Sequence, residues 1–186
     1  MKFIKTLLRN LLTLIGVFIV LLLINRWYLD GFTTPEIKEQ NMGPYTIAYV
    51  NFVGNYGKVG PSMIKVYDIL SGAGVTVSTG IGIYYDDPAI VSGANLRSDV
   101  GAVIISQDVS KLIKNKEIKI TTLPAGNKIV VEFPLKNTIS YIIGPMKVYP
   151  LIAKYIKEKG YANQVSMIEL YDMVAKKIYY IAEISK

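Results

Sequence analysis

The sequence predicts an α+β domain of two tandem, pseudo-symmetric βαββ repeats, preceded by one N-terminal transmembrane helix. Three observations support that prediction: an uncharged apolar run over residues 11–24, strand-like segments rich in β-branched and aromatic residues from residue 45 onward, and a strand, helix, strand, strand order that occurs twice. We therefore divide the chain into an anchor (1–28), a linker (29–44) and one globular domain (45–186).

The apolar run has the flanks of a membrane helix. Arg9 can snorkel and Trp27 and Tyr28 suit the interface, so the span extends from Leu7 to Tyr28, against the roughly 20 residues that a bilayer core requires. More basic residues precede the run than follow it, which predicts a cytoplasmic N-terminus and an extracytoplasmic domain in a single-pass protein. A cleaved signal peptide is the alternative, although the sequence NRWYLDGF after the run lacks a small-x-small cleavage site.

Composition excludes several classes of function. The chain carries 21 basic and 14 acidic residues, but four of the basic ones lie in the first 28 residues, which leaves 17 against 14 in the remainder. That small excess gives little support for a nucleic-acid partner. Cysteine and histidine are both absent, so the usual zinc, iron–sulfur and haem ligands are missing, as is an imidazole base. We predict no metal and no cofactor.

The first repeat, about residues 45–107, follows a linker punctuated by glycine and proline. Its strands are predicted at 45–53, 79–85 and 100–106. Between the first two strands, apolar residues recur at helical spacing over 60–72, after a proline at a favoured first-turn position.

The second repeat, about residues 117–185, has the same order. A strand is predicted at 128–133, a helix at 144–160, and two further strands at 164–171 and 176–184. Short matches link the two copies at offsets of 84 and 86 residues: Val59-Gly60-Pro61 with Ile143-Gly144-Pro145, and Tyr85-Asp86 with Tyr171-Asp172. A duplication of this length predicts two pseudo-symmetric halves with a ligand cleft between them.

The ordered motifs of the domain resemble those of the GyrI-like small-molecule-binding family, a duplication of the βαββ (SHS2) module. They are GIYYDDP (82–88), LRSDVGAVI (96–104), LPAG (123–126), EFP (132–134), VYP (148–150) and IELYD (168–172). With its apolar N-terminal segment, the chain is similar to the membrane-anchored branch typified by the testis-expressed reticulophagy receptor, without the disordered tail of that receptor. The resemblance implies a central groove for ligands or partners and a signature acid at Glu169.

The residues themselves also single out Glu169. Alternation along the predicted strand from Val165 to Tyr171 places Glu169 and Tyr171 on one face. An acid in an apolar strand costs several kcal/mol to bury without compensation, so it requires a partner, a ligand or a raised pKa. Matching the repeats sets Glu169 against Ile83 and makes Tyr85 equivalent to Tyr171. The alternative is a surface ion pair between Glu169 and a lysine such as Lys177.

These residues predict a binding site for a cation. Tyrosine rings stack on aromatic ligands and attract cations, and a carboxylate among them strengthens that preference. The predicted ligand-binding residues are Glu169, Tyr171, Tyr85, Tyr67 and Tyr149. We predict a membrane-tethered module that binds an amphipathic or cationic small molecule.

Two other functions stay open. One is a protein-interaction adaptor at a membrane. The other is a hydrolase of small electrophilic compounds, in which Glu169 would act as general acid or base by itself, with a pKa lifted toward neutrality. We predict binding rather than catalysis and assign no catalytic residue.

Overall fold

The computed structural model of the protein describes residues 2–28, 34–162 and 166–184. The chain forms two compact units, divided between Thr34 and Pro35. The first unit contains helix α1 (Lys2–Tyr28). Its segment Ile4–Asn25 is long and apolar enough to cross a membrane and is not buried, features that it shares with a signal sequence.

The second unit has a mixed α+β fold. Its described residues form an eight-stranded, fully antiparallel sheet in the order β1-β6-β8-β7-β3-β4-β2-β5. The strands are β1 (Ile37–Met42), β2 (Tyr45–Val53), β3 (Thr79–Tyr84), β4 (Arg97–Val103), β5 (Lys119–Leu123), β6 (Gly126–Pro134), β7 (Met167–Asp172) and β8 (Lys177–Glu183). The helices are α2 (Gly60–Gly72), α3 (Val109–Leu112) and α4 (Ser140–Lys159).

The core lies on both faces of the sheet. Helix α4 packs on β6 and β8 through Val148 and Ile152, and α2 packs on β2 and β4 through Val66 and Leu70. A third cluster, on the opposite face, is built from strands alone: Ile47, Ile81, Ile83, Val130, Leu170 and Ile181. It unites β2 with β6, which lie far apart in the strand order, because the sheet curls around it. Since all three clusters belong to the second unit, we expect a fragment of residues 29–186 to fold without α1.

The two long helices of the domain follow from their sequences. Helix α2 occupies the predicted residues 60–72, with proline in its first turn. Helix α4 begins at Ser140, four residues before its predicted start, and the Ser140 hydroxyl accepts hydrogen bonds from the backbone N–H groups of Lys136 and Asn137. Pro145 therefore lies inside the helix, as Pro150 does, and each removes a backbone donor.

The structure also corrects the predicted linker and moves the strand predicted at 100–106 to Arg97–Val103. The predicted linker, residues 29–44, contains strand β1, which pairs with β6 at one edge of the sheet. Its polar sequence, IKEQNM, lacks the apolar alternation of a half-buried strand, so the prediction was wrong over those residues. Residues 29–33 of the linker lie outside the described residues. So do Gln164 and Val165 of the predicted strand 164–171, which the structure begins at Met167.

Candidate ligand-binding groove

Glu169 lies in the middle of the sheet, on the face that carries the helices. It is opposite Gly82 of β3 on one side and Tyr180 of β8 on the other. Only 3% of its surface is exposed. A carboxyl group at this depth requires compensation from its neighbours.

Tyrosine hydroxyls supply that compensation. Tyr149 of α4 donates to one carboxylate oxygen of Glu169, and Tyr171 donates to the other at 2.9 Å. The hydroxyls of Tyr84 and Tyr171 are also hydrogen-bonded, at 2.9 Å. The acid is thus the end point of a buried hydroxyl network contributed by α4, β3 and β7.

Burial governs the protonation of Glu169. It raises the pKa of Glu169 to about 7, and the hydrogen bonds from Tyr149 and Tyr171 partly oppose that rise. Burial, together with the negative charge of Glu169, raises the pKa of Tyr149 and Tyr171 well above the ordinary tyrosine value. Both tyrosines therefore remain protonated donors, while Glu169 can gain or lose its proton near neutral pH.

A cavity of about 680 Å³ opens beside the acid, and we call it the groove. Its walls are mainly aromatic and aliphatic: Tyr56, Tyr84, Tyr141, Tyr149, Tyr171, Met63, Ile142, Pro145 and Met146. Tyr56 meets Tyr84 edge to face at 4.8 Å between ring centroids, and Tyr141 meets Tyr171 at 5.4 Å. These contacts hold the rings in place around the groove.

Glycine in β3 makes room for the tyrosines around Glu169. A Cβ atom on Gly82 would lie 2.8 Å from the ring of Tyr84, and one on Gly80 would lie 2.3 Å from the hydroxyl of Tyr67. Any side chain at either position would displace a tyrosine. The two glycines opposite Glu169 and Tyr171 therefore allow Tyr84 and Tyr67 to lie against the strand.

Comparison with known proteins identifies the family of this chain. The profile of the GyrI-like small molecule binding domain matches residues 33–184. The chain belongs to this family. No curated protein sequence matches this chain.

Solved structures share the GyrI-like fold. They include the crystal structure of the EcmrR C-terminal domain, with a TM-score of 0.58 and 12% identity over 83% of this chain and 99% of that one. A cryo-EM structure of an EcmrR–DNA complex gives a TM-score of 0.59 and 13% identity over 98% of this chain and 69% of that one. The crystal structure of a hydrolase from Listeria innocua gives a TM-score of 0.51 and 12% identity over 86% of this chain and 98% of that one. At such identities the likeness establishes the fold alone.

The GyrI-like domain brings together three of the five predicted ligand-binding residues: Glu169, Tyr149 and Tyr171 share one hydrogen-bond network. Tyr67 lies next to them, with its hydroxyl over Gly80, but it lines a separate cavity of about 540 Å³. Tyr85 lies apart, because it packs with the cluster on the opposite face and donates to Asp99 at 2.7 Å.

The position of Tyr85 exposes an error of register. An offset of 86 residues equates Ile83 with Glu169, yet Ile83 packs in the cluster on the opposite face. Gly82 and Tyr84 share the face of Glu169 and Tyr171, so the structural match differs by one residue. Tyr84 was missed for that reason. The signal for it was the alternation of Gly80, Gly82 and Tyr84 along β3.

The ion-pair alternative for Glu169 is wrong. Lys177 lies 2.6 Å from Glu132 of β6, and Glu169 is buried among tyrosines. Within the described ranges, no group of three or more histidine, cysteine or acidic residues is arranged to hold a metal ion. The chemistry of the groove therefore rests on one carboxyl group and the hydroxyls around it.

Proposed function

We propose that this chain is a membrane-tethered receptor whose groove holds an amphipathic or cationic small molecule, with the Glu169 carboxylate as its counter-charge. One observation carries the proposal. Among the described residues that line the groove, Glu169 is the only acidic or basic one, and it is almost fully buried. A single carboxylate in an apolar, aromatic cavity favours a ligand with a single positive charge. Membership of a small-molecule-binding family supports the same conclusion.

The tyrosine walls suit such a ligand. Their rings offer faces for stacking and for cation–π contact, and their hydroxyls already hold the carboxylate in position. A bound cation would supply the charge partner that Glu169 lacks inside the groove. Binding would thus offset the cost of burying an ionised acid, and the pKa of Glu169 would fall.

A titration of the fragment 29–186 with benzyltrimethylammonium and its uncharged carbon isostere tests the proposal. Glu169→Gln preserves size and should weaken binding of the cation by about tenfold or more, while leaving the isostere unaffected. Glu132→Gln is the matched control, because Glu132 forms its ion pair with Lys177 outside the groove. Equal dissociation constants for the cation in the wild type and Glu169→Gln would refute the assignment.

We propose that α1 is the tether. Its Ile4–Asn25 segment has the length and composition to cross a bilayer, and eight residues, 29–36, separate α1 from β1. The excess of basic residues before the apolar run supports an extracytoplasmic domain.

A hydrolase is the second candidate, favoured by the pKa of Glu169. A carboxyl group with a pKa of about 7 can donate or accept a proton at neutral pH, as general acid–base catalysis requires. Incubating the fragment with small epoxides and esters, followed by product analysis, tests this candidate. Product formation that Glu169→Gln abolishes would favour it over simple binding. An adaptor role has less support, because the groove is open rather than filled by side chains.

A further inference from the structure

A second cavity, of about 320 Å³, adjoins the groove, and we call it the side cavity. It shares three lining residues with the groove: Tyr84, Pro88 and Tyr149. Its other walls are largely aliphatic: Ile90, Pro150, Ile152, Ala153, Ile156 and Met167. The two cavities are therefore adjacent but differ in chemistry.

The two acids that border the side cavity already have partners. Asp86 forms an ion pair with Arg97 at 2.7 Å and also accepts the backbone N–H of Arg97. Asp87 accepts the backbone N–H of Ala89. The side cavity thus offers a ligand mainly apolar surface.

Two elements lead from the carboxylate into the side cavity. On α4, Tyr149, Ile152, Ala153 and Ile156 follow the spacing of one helix face, which spans about 10 Å at 1.5 Å per residue. On β7, Met167 lies two residues from Glu169 and hence on the same face. Apolar surface therefore extends along α4 from Tyr149, which is hydrogen-bonded to Glu169, into the side cavity.

We propose that the side cavity binds the hydrocarbon tail of a cationic amphiphile whose charged head group lies against Glu169. The inference rests on the proposed function and narrows its ligand class to single-chain amphiphiles with one positive charge. The carboxylate and the tyrosine rings recognise the head, and the stripe on α4 recognises the tail. The cationic head can compensate the buried carboxylate of Glu169, whereas a hydrocarbon tail cannot. Charge complementarity therefore sets the direction of the ligand.

Butyl-, hexyl- and octyltrimethylammonium, titrated into the fragment 29–186, test the inference. Each methylene that enters an apolar cavity should tighten binding by about fourfold, which amounts to about 15-fold from butyl to hexyl. Ala153→Phe places a ring in the side cavity and should reduce that gain to below about threefold, with butyl affinity within about twofold of the wild type. Lys154→Phe is the control, because it adds the same ring on α4 at a residue that lines neither cavity.

Three outcomes would overturn the inference. One is an equal gain with chain length in Ala153→Phe and the wild type. Another is binding of the butyl compound with no gain for longer chains, which leaves the proposed function intact. The third is no binding by any member, which overturns the proposed function as well. If Ala153→Phe fails to fold, Ala153→Leu provides a smaller obstruction and should give an intermediate gain in affinity per methylene group.

Discussion

Glu169→Gln should make the domain more stable at neutral and alkaline pH and leave its stability in acid unchanged. The folded-state pKa of about 7 exceeds the ordinary value of 4.5 because the carboxyl group is buried. Between those two pH values the folded state holds a proton that the unfolded state has lost, so stability falls as pH rises. The pKa difference, about 7 minus 4.5, multiplied by 1.36 kcal/mol per unit, is about 3 kcal/mol. Glutamine carries no charge at any of these pH values, so the variant avoids that loss.

Urea denaturation of the wild-type and variant fragments, followed by circular dichroism, measures the effect. The two free energies of unfolding should agree near pH 4.5 and differ by about 3 kcal/mol above about pH 8, with the variant more stable. Carboxyl groups with lowered pKa, such as Asp86 and Glu132, titrate in both proteins and cancel in the difference. A difference that does not change with pH would refute the reasoning.

Glu132→Gln provides a control of opposite sign. The hydrogen bond from Lys177 lowers the pKa of Glu132, so its stabilisation is present above the unfolded pKa and is lost as pH falls through the folded value. The Glu132→Gln variant should therefore be less stable than the wild type at neutral pH and approach it in acid. Comparison of the two glutamine variants thus distinguishes the pH dependence of stability that burial of an acid causes from the pH dependence that an ion pair causes.

Three further predictions follow from the structure. The affinity of the wild-type fragment for a lipophilic cation should fall by about tenfold per pH unit below about pH 7, since only ionised Glu169 attracts it; calorimetry that shows constant affinity would contradict this. Gly144→Ala should destabilise the domain by about 1–3 kcal/mol, because its Cβ would lie 2.0 Å from the Tyr180 hydroxyl, and Tyr180→Phe should recover part of that loss in a double-mutant cycle; purely additive effects would contradict the clash. The full chain should remain in the membrane pellet after alkaline extraction and keep its N-terminal segment by mass spectrometry, whereas a soluble or shortened product would contradict the tether.

Apolar periodicity predicted those elements that bury one face. Helix α2 could be placed from residues such as Val66 and Leu70, which recur at helical spacing and form the core beneath it. Strands β1 and β5 could not be placed, since both are largely polar edge strands whose partners are distant in sequence. An edge strand is stabilised mainly by backbone hydrogen bonds to one neighbour, and the amino-acid composition of the strand does not reveal those bonds.

The candidate site was predictable in composition but not in register. Glu169 stands out in sequence as an acid in an apolar strand, but its burial does not follow from alternation, because Glu169, Leu170 and Tyr171 are all buried in β7. The pairing of β3 with β7 joins residues almost 90 positions apart, and a slip of one residue exchanges the two faces of a strand. The match of Tyr85 with Tyr171 aligned the two strands with that one-residue error. Only the paired strands show that Tyr84 faces the groove.

The duplication explains why the groove has a single charge. Gly80 and Gly82 of the first repeat lie opposite Tyr171 and Glu169 of the second, so one repeat contributes no side chain at the positions where the other contributes a phenol and an acid. The space above both glycines is taken by tyrosines, because a Cβ atom on Gly82 would clash with the ring of Tyr84 and one on Gly80 with the hydroxyl of Tyr67. A symmetric pair of acids would place two buried negative charges side by side, which is far more costly than one. Loss of symmetry between the copies therefore leaves one buried acid in the groove, and with it the preference for a single positive charge.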